Sequence, residues 1–173
     1  MPNRRAILSH LVDAVLLSAG AVSLFSFLKG YFPKGVDADK PPSGLSVETF
    51  GLEWRSASTH IVLLLSATCR YCTQSMPFYV RLRDEVANAP NQRLGAVFLH
   101  DLALGKTYLS THGLGQIPIR GPVRLPWARA STPTLLLVDS TGRIVESFVG
   151  KLDSAKEELV MATLHSRKHL RAV

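Results

Sequence analysis

The sequence specifies an α/β domain with a mixed central sheet flanked by helices, preceded by one membrane-crossing helix. Three observations carry this expectation. An apolar run of about 22 residues opens the chain. Short apolar segments alternate with amphipathic ones after residue 47. A single pair of cysteines stands where a strand meets a helix. Of 173 residues, 46% are hydrophobic and 19% charged, enough apolar material for a core and too much for a disordered chain. Two cysteines exclude a disulfide-rich scaffold and an all-cysteine zinc or iron–sulfur site, which needs about four ligands. The formal charge of +7 suits an anionic partner surface. The basic residues are dispersed and carry no recognised nucleic-acid motif, so no nucleic-acid role is expected.

The apolar run spans Ile7 to Leu28. A helix of that length would reach roughly 33 Å, enough to cross a bilayer core. Asp13 falls in its first two turns, close to an interface, where a carboxylate costs less than at the centre. Cleavage needs small residues after the apolar core, but Ala19-Gly20-Ala21 lies within it. The expectation is an uncleaved signal anchor over residues 1–29; a cleaved signal peptide and a buried core helix are the alternatives. Lysines after the span nearly balance Arg4 and Arg5 before it, and the short N-terminal tail makes N-inside the simpler topology.

Residues 30–46 hold three Pro and three Gly and no apolar period, as a linker would. The folded domain is expected over residues 47–173. His60 to Leu65 is a continuous apolar run of buried-strand length. Arg70 to Asn88 reads as a helix with Met76, Tyr79, Val80, Leu82 and Val86 inward. Arg93 to Leu99 is a second strand, and Ala103 to His112 a short helix. Leu135 to Val138 and Arg143 to Val149 flank Asp139-Ser-Thr-Gly142, a hairpin turn. Ser154-x-x-Glu157 is a capping box for a last helix, with Leu159, Val160, Thr163 and Leu164 facing the core.

Cys69-Arg70-Tyr71-Cys72 carries the chemistry. A cysteine at a helix N-terminus meets unpaired N–H groups and the positive end of the helix dipole, which favour the nucleophilic thiolate. Arg70 adds charge nearby. A cysteine three residues on can attack a mixed disulfide. Cys69 is therefore expected to attack and Cys72 to resolve. Half a zinc site and an inert structural disulfide are the plainer readings. Attachment of c-type haem requires His at position 73, which is Thr. His165 and His169, four apart on a basic terminal helix, suit solvent better than a metal. No metal or other cofactor is expected. Thr132-Pro133 precedes an apolar run, where proline is tolerated and can be cis, leaving the backbone at Thr132 free to pair with an extended substrate.

These residues together resemble the thioredoxin superfamily, and more narrowly the membrane-anchored thioredoxin-like thiol–disulfide oxidoreductases of the bacterial cell envelope. The resemblance covers roughly Val47 to Leu164. It rests on the strand followed by Ala67-Thr68-Cys69-x-x-Cys72, on Pro77, on Ser131-Thr132-Pro133-Thr134, and on Asp139-x-x-Gly142-Arg143-Ile144-Val145 leading to Gly150. It implies a thioredoxin-like fold and dithiol exchange through Cys69 and Cys72. It also implies substrate pairing at Thr132 and Pro133, and tuning of the potential by Arg70 and Tyr71. The implied partners are protein thiols or disulfides and a membrane electron-donor protein. The implied place is the periplasmic side of the inner membrane, as in cytochrome c maturation, with reduction the favoured direction.

The sequence departs from the pattern at four places. Thr68 replaces the usual aromatic residue before the first cysteine. The Arg70-Tyr71 dipeptide lacks proline. Leu63 stands where thioredoxins often bury an acid, so no proton acceptor for Cys72 is evident, and Glu53 and Asp139 are distant options. Residues 113–130 form a Pro- and Arg-rich loop that could bear on partner choice. The competing functions are a redox-inactive assembly factor on the same fold and a thiol peroxidase. The second would need a Pro-x-x-x-Thr-x-x-Cys pattern ending at Cys69, and the stretch before Cys69, Leu63 to Thr68, lacks that proline.

Overall fold

The computed structural model describes residues 40–127, 129 and 131–167. The expected membrane span, Ile7 to Leu28, and residues 30–39 of the expected linker lie outside them. No helix among the described residues is long and apolar enough to cross a membrane.

Five strands form one sheet: β1 (Thr59–Leu65), β2 (Gln92–Phe98), β3 (Ile119–Arg120), β4 (Thr134–Asp139) and β5 (Ile144–Val149). Their spatial order is β3-β2-β1-β4-β5. β1 pairs parallel with β2 and antiparallel with β4. β2 pairs parallel with β3, and β4 antiparallel with β5. β1 is central, and all seven of its residues are buried. That explains its unbroken apolar run, because a strand covered on both faces needs no polar alternation.

Alternate residues still sort by face. Ile61, Leu63 and Leu65 join Leu94, Ala96, Phe98, Leu135 and Leu137 in one cluster. Helix α1 (Arg70–Ala87) packs Met76, Phe78, Tyr79 and Leu82 into it. α2 (Leu102–Thr111) adds Leu109, and α3 (Ser154–Arg167) adds Val160 and Leu164. Val62, Leu64, Val97, Leu136 and Val138 face the other way, beneath Val47, Phe50 and Trp54 from two short 3-10 turns. Val123, Leu125 and Trp127 complete that cover.

Three local expectations need correction. α3 is capped by Asp153, not Ser154: Asp153 Oδ1 accepts from the Lys156 N–H at 2.9 Å, and Ser154 is already helical. Leu159 is 52% exposed, on the outer side of α3 from Val160 and Leu164. Val80 and Val86 do pack against the core, partly buried, but the expected inward set of α1 lacked Phe78, Cys72 and Ser75, which are buried. Residues 40–46 also contact the sheet edge. Gly44 N–H donates to Ile144 O at 2.7 Å, and Ser147 Oγ donates to Pro41 O at 2.9 Å.

Candidate active site

β1 ends at Leu65, and the chain turns through Ser66-Ala67-Thr68 into α1. Cys69 N–H donates back to Ser66 O at 3.1 Å, closing the turn. This places Cys69 at the N-cap of α1 with extended backbone (φ −83°, ψ 113°). Its Sγ accepts from the Cys72 N–H at 3.3 Å, the role a serine or aspartate oxygen usually fills. The sulfur thereby satisfies one of the orphan donors at the positive end of the helix.

The second wall of the site comes from β4. Its register pairs Leu64 with Thr134, so the residues just before β4 lie at the edge of the sheet where β1 ends. The Thr132–Pro133 peptide is cis, matching the sequence expectation. The Cys69 thiol donates to Thr132 O at 3.2 Å. Thr134 Oγ1 donates to Ser131 O at 2.7 Å, and Gly150 N–H donates to Pro133 O at 2.8 Å, bracing the loop from both sides. The structure thus brings together Cys69, Cys72, Thr132 and Pro133, four residues that lie up to 64 positions apart in the chain.

The two thiols differ sharply. Cys69 is partly exposed and Cys72 is 0% exposed. Burial opposes ionisation of Cys69, but hydrogen bonds from the side chains of Cys72 and Thr132 and from the backbone N–H groups of Cys72 and Tyr71 outweigh it, and its thiol sits below the ordinary value. Burial pushes the Cys72 thiol up to about 12, with Cys69 beside it adding to the rise. An accessible sulfur that ionises easily thus stands before a buried one that holds its proton. Arg70 and Tyr71 are exposed on the first turn. The principal causes that favour the Cys69 thiolate are hydrogen bonds, the helix N–H groups expected from sequence among them; the supplementary charge of Arg70 is not one of them.

The distant acids do not reach Cys72. Asp139 pairs with Thr59, at the opposite end of β1, and its Oδ1 accepts from Thr141 and Arg143 in the hairpin turn. Glu53 precedes the 3-10 turn whose Trp54 carbonyl meets His60, again at the start of β1. Leu63 is fully buried in the sheet. Sequence reasoning missed Tyr108 of α2, whose hydroxyl meets Thr73 Oγ1 at 3.0 Å and ties α2 to the cysteine turn. No spacing rule links these residues, 35 positions apart. His165 Nε2 lies 3.0 Å from Glu85 Oε1, a surface pair, and His169 lies outside the described residues. No group of three or more potential metal-binding side chains occurs among the described residues.

No protein family and no curated protein matches the sequence. Solved structures do match the fold. A candidate thioredoxin from Neisseria meningitidis aligns with a TM-score of 0.55 at 16% identity, over 76% of this chain and 92% of its own. A candidate thiol:disulfide interchange protein DsbE from Chlorobium tepidum gives 0.53 at 16%, over 75% and 96%. A thiol-disulfide isomerase from Corynebacterium glutamicum gives 0.50 at 18%, over 74% and 96%. The fold is therefore thioredoxin-like, with the cysteine pair at the N-terminus of α1 beside a cis-proline.

Proposed function

We propose that this protein is a membrane-tethered thiol–disulfide oxidoreductase acting on protein cysteines, and that it works chiefly as a reductase. The observation that carries the proposal is Cys69 Sγ, held between the Cys72 N–H and Thr132 O at the edge of the cis-proline loop. The Cys69 thiolate attacks a substrate disulfide. One substrate sulfur leaves with the bonding electron pair and takes a proton, and a Cys69–substrate disulfide remains. Cys72 then gives up its proton and attacks Cys69 Sγ, and the second substrate thiol departs. The substrate gains two electrons, and the Cys69–Cys72 pair is left oxidised. A dithiol protein of the membrane would restore the pair by the same exchange.

The cis-proline loop supports substrate docking, since an extended peptide can pair with the backbone at Thr132 once the Cys69 thiol has ionised. The Ile7 to Leu28 run supports the tether, and an N-inside topology would put the domain on the periplasmic side of a bacterial inner membrane. The direction of exchange follows from the family resemblance. Cys72→Ser should accumulate mixed disulfides with substrate proteins, whereas Cys69→Ser should accumulate none. If the Cys72→Ser protein, expressed with its full chain in cells, yields no mixed disulfide on non-reducing gels, the two-cysteine mechanism fails.

A further inference from the structure

The chain segments that build the cysteine turn and the loop ending at Thr132 are one-sided in charge. Residues 54–83, which include β1 and the cysteine turn, contain no Asp or Glu; nor do residues 102–138, which run into the cis-proline loop. Arg70, Arg124 and Arg129 are exposed. Among the described residues no ion pair involves any of the three.

Their place follows from the anchors of the loop. Its start lies at the end of β2: Gly121 has φ +144°, and a Cβ there would overlap Phe98 O. Phe98 pairs with Leu65, the last residue before the cysteine turn. Its end is Thr132, against Cys69. Both ends of the loop therefore sit on the sheet edge that carries Cys69. Between them Val123, Leu125 and Trp127 pack inward, and Arg124 points to solvent. Arg129 lies within about 11 Å of Thr132 by chain length alone. Two further acids cap helices: Asp101 Oδ1 accepts from the Leu104 N–H, and Asp153 meets both the N–H and the Nζ of Lys156.

We infer that this arginine-bearing edge docks acidic polypeptide, so that the favoured substrates carry Asp and Glu beside the reacting cysteine. The inference rests on the proposed oxidoreductase function. Unpaired guanidinium groups around a docking groove steer an oppositely charged partner and set its specificity more than its raw affinity.

The test uses the reduced full chain in proteoliposomes and three peptide disulfides with acidic, neutral or basic flanks. Single-turnover reduction at low salt should favour the acidic peptide over the basic one by about tenfold or more, and the ratio should fall towards about two near 0.5 M salt. Arg124→Ser/Arg129→Ser should remove most of the preference, read as the acidic-to-neutral rate ratio within each variant. Equal rates for the three peptides overturn the inference and leave the oxidoreductase reading intact. Equal peptide rates that differ between neutral and anionic vesicles assign the edge to lipid and also overturn it. If not even the neutral peptide is reduced, the oxidoreductase reading falls and takes the inference with it.

Discussion

Limited alkylation of the reduced protein should strike Cys69 almost exclusively. The Cys72 thiol, raised to about 12, would be ionised to about one part in 10⁵ at pH 7. An ordinary thiol with a value of 9.0 would be ionised to about one part in 10², and Cys69 lies below that value and so above that fraction. Ionisation alone therefore favours Cys69 by about a thousandfold or more, and the complete burial of Cys72 adds to the bias. Substoichiometric iodoacetamide at pH 7, followed by trypsin and mass spectrometry, reads the ratio directly. Cleavage after Arg70 puts the two cysteines on separate peptides. If Cys72 is modified within tenfold of Cys69, the assignment of attacking and resolving sulfurs is wrong.

Three further outcomes follow from the same geometry. Pro133→Ala should leave most of the fold intact but raise KM for a peptide disulfide, because the residue next to Thr132 O loses the fixed φ of the proline ring; unchanged kcat/KM would remove Pro133 from the site. Asp153→Ala should lower stability in urea by about 0.5–2 kcal/mol through loss of the α3 cap, and an unaffected midpoint would return the cap to Ser154. The folded protein holds the Cys72 proton more tightly than the unfolded chain. That contribution is fully present below about pH 9 and is lost as pH rises towards about 12. Relative to Cys72→Ala, the reduced protein should therefore lose roughly 2 kcal/mol of unfolding free energy between pH 8 and 10.5, measured by urea titration. Parallel curves for the two proteins would show that burial does not hold the proton.

Much of this architecture was legible because each element has a local cause. The unbroken apolar run at His60 to Leu65 identifies a strand covered on both faces, and the structure makes it the sheet's centre. Cys69 at a strand-to-helix junction and Pro133 at the start of a strand are each legible by position, and the structure brings them to one edge of the sheet. Other features have no local signature. Asp153 outcompetes Ser154 as the α3 cap, a contest between adjacent residues of similar capping strength. Leu159 follows a helical period that tertiary packing rotates outward. The Tyr108–Thr73 bond and the meeting of Phe98 with the 121–132 loop are long-range contacts, which only the assembled sheet creates. The helix N-terminal N–H groups expected to favour the Cys69 thiolate do so, whereas the added charge of Arg70 is not among the principal causes, because its exposed guanidinium is solvated.

The central claim is that Cys69 and Cys72 form a reversible redox couple. Its most direct test is the equilibrium potential of the full chain in detergent. The protein would be poised in defined thiol–disulfide buffers, quenched with acid and tagged on free thiols. Interconversion of dithiol and Cys69–Cys72 disulfide with a midpoint near about −250 mV or lower is the expected result, in the range of reducing thioredoxins. A midpoint near about −120 mV would make the protein an oxidant and contradict the proposed direction. Failure to form the disulfide at any potential would contradict the claim itself.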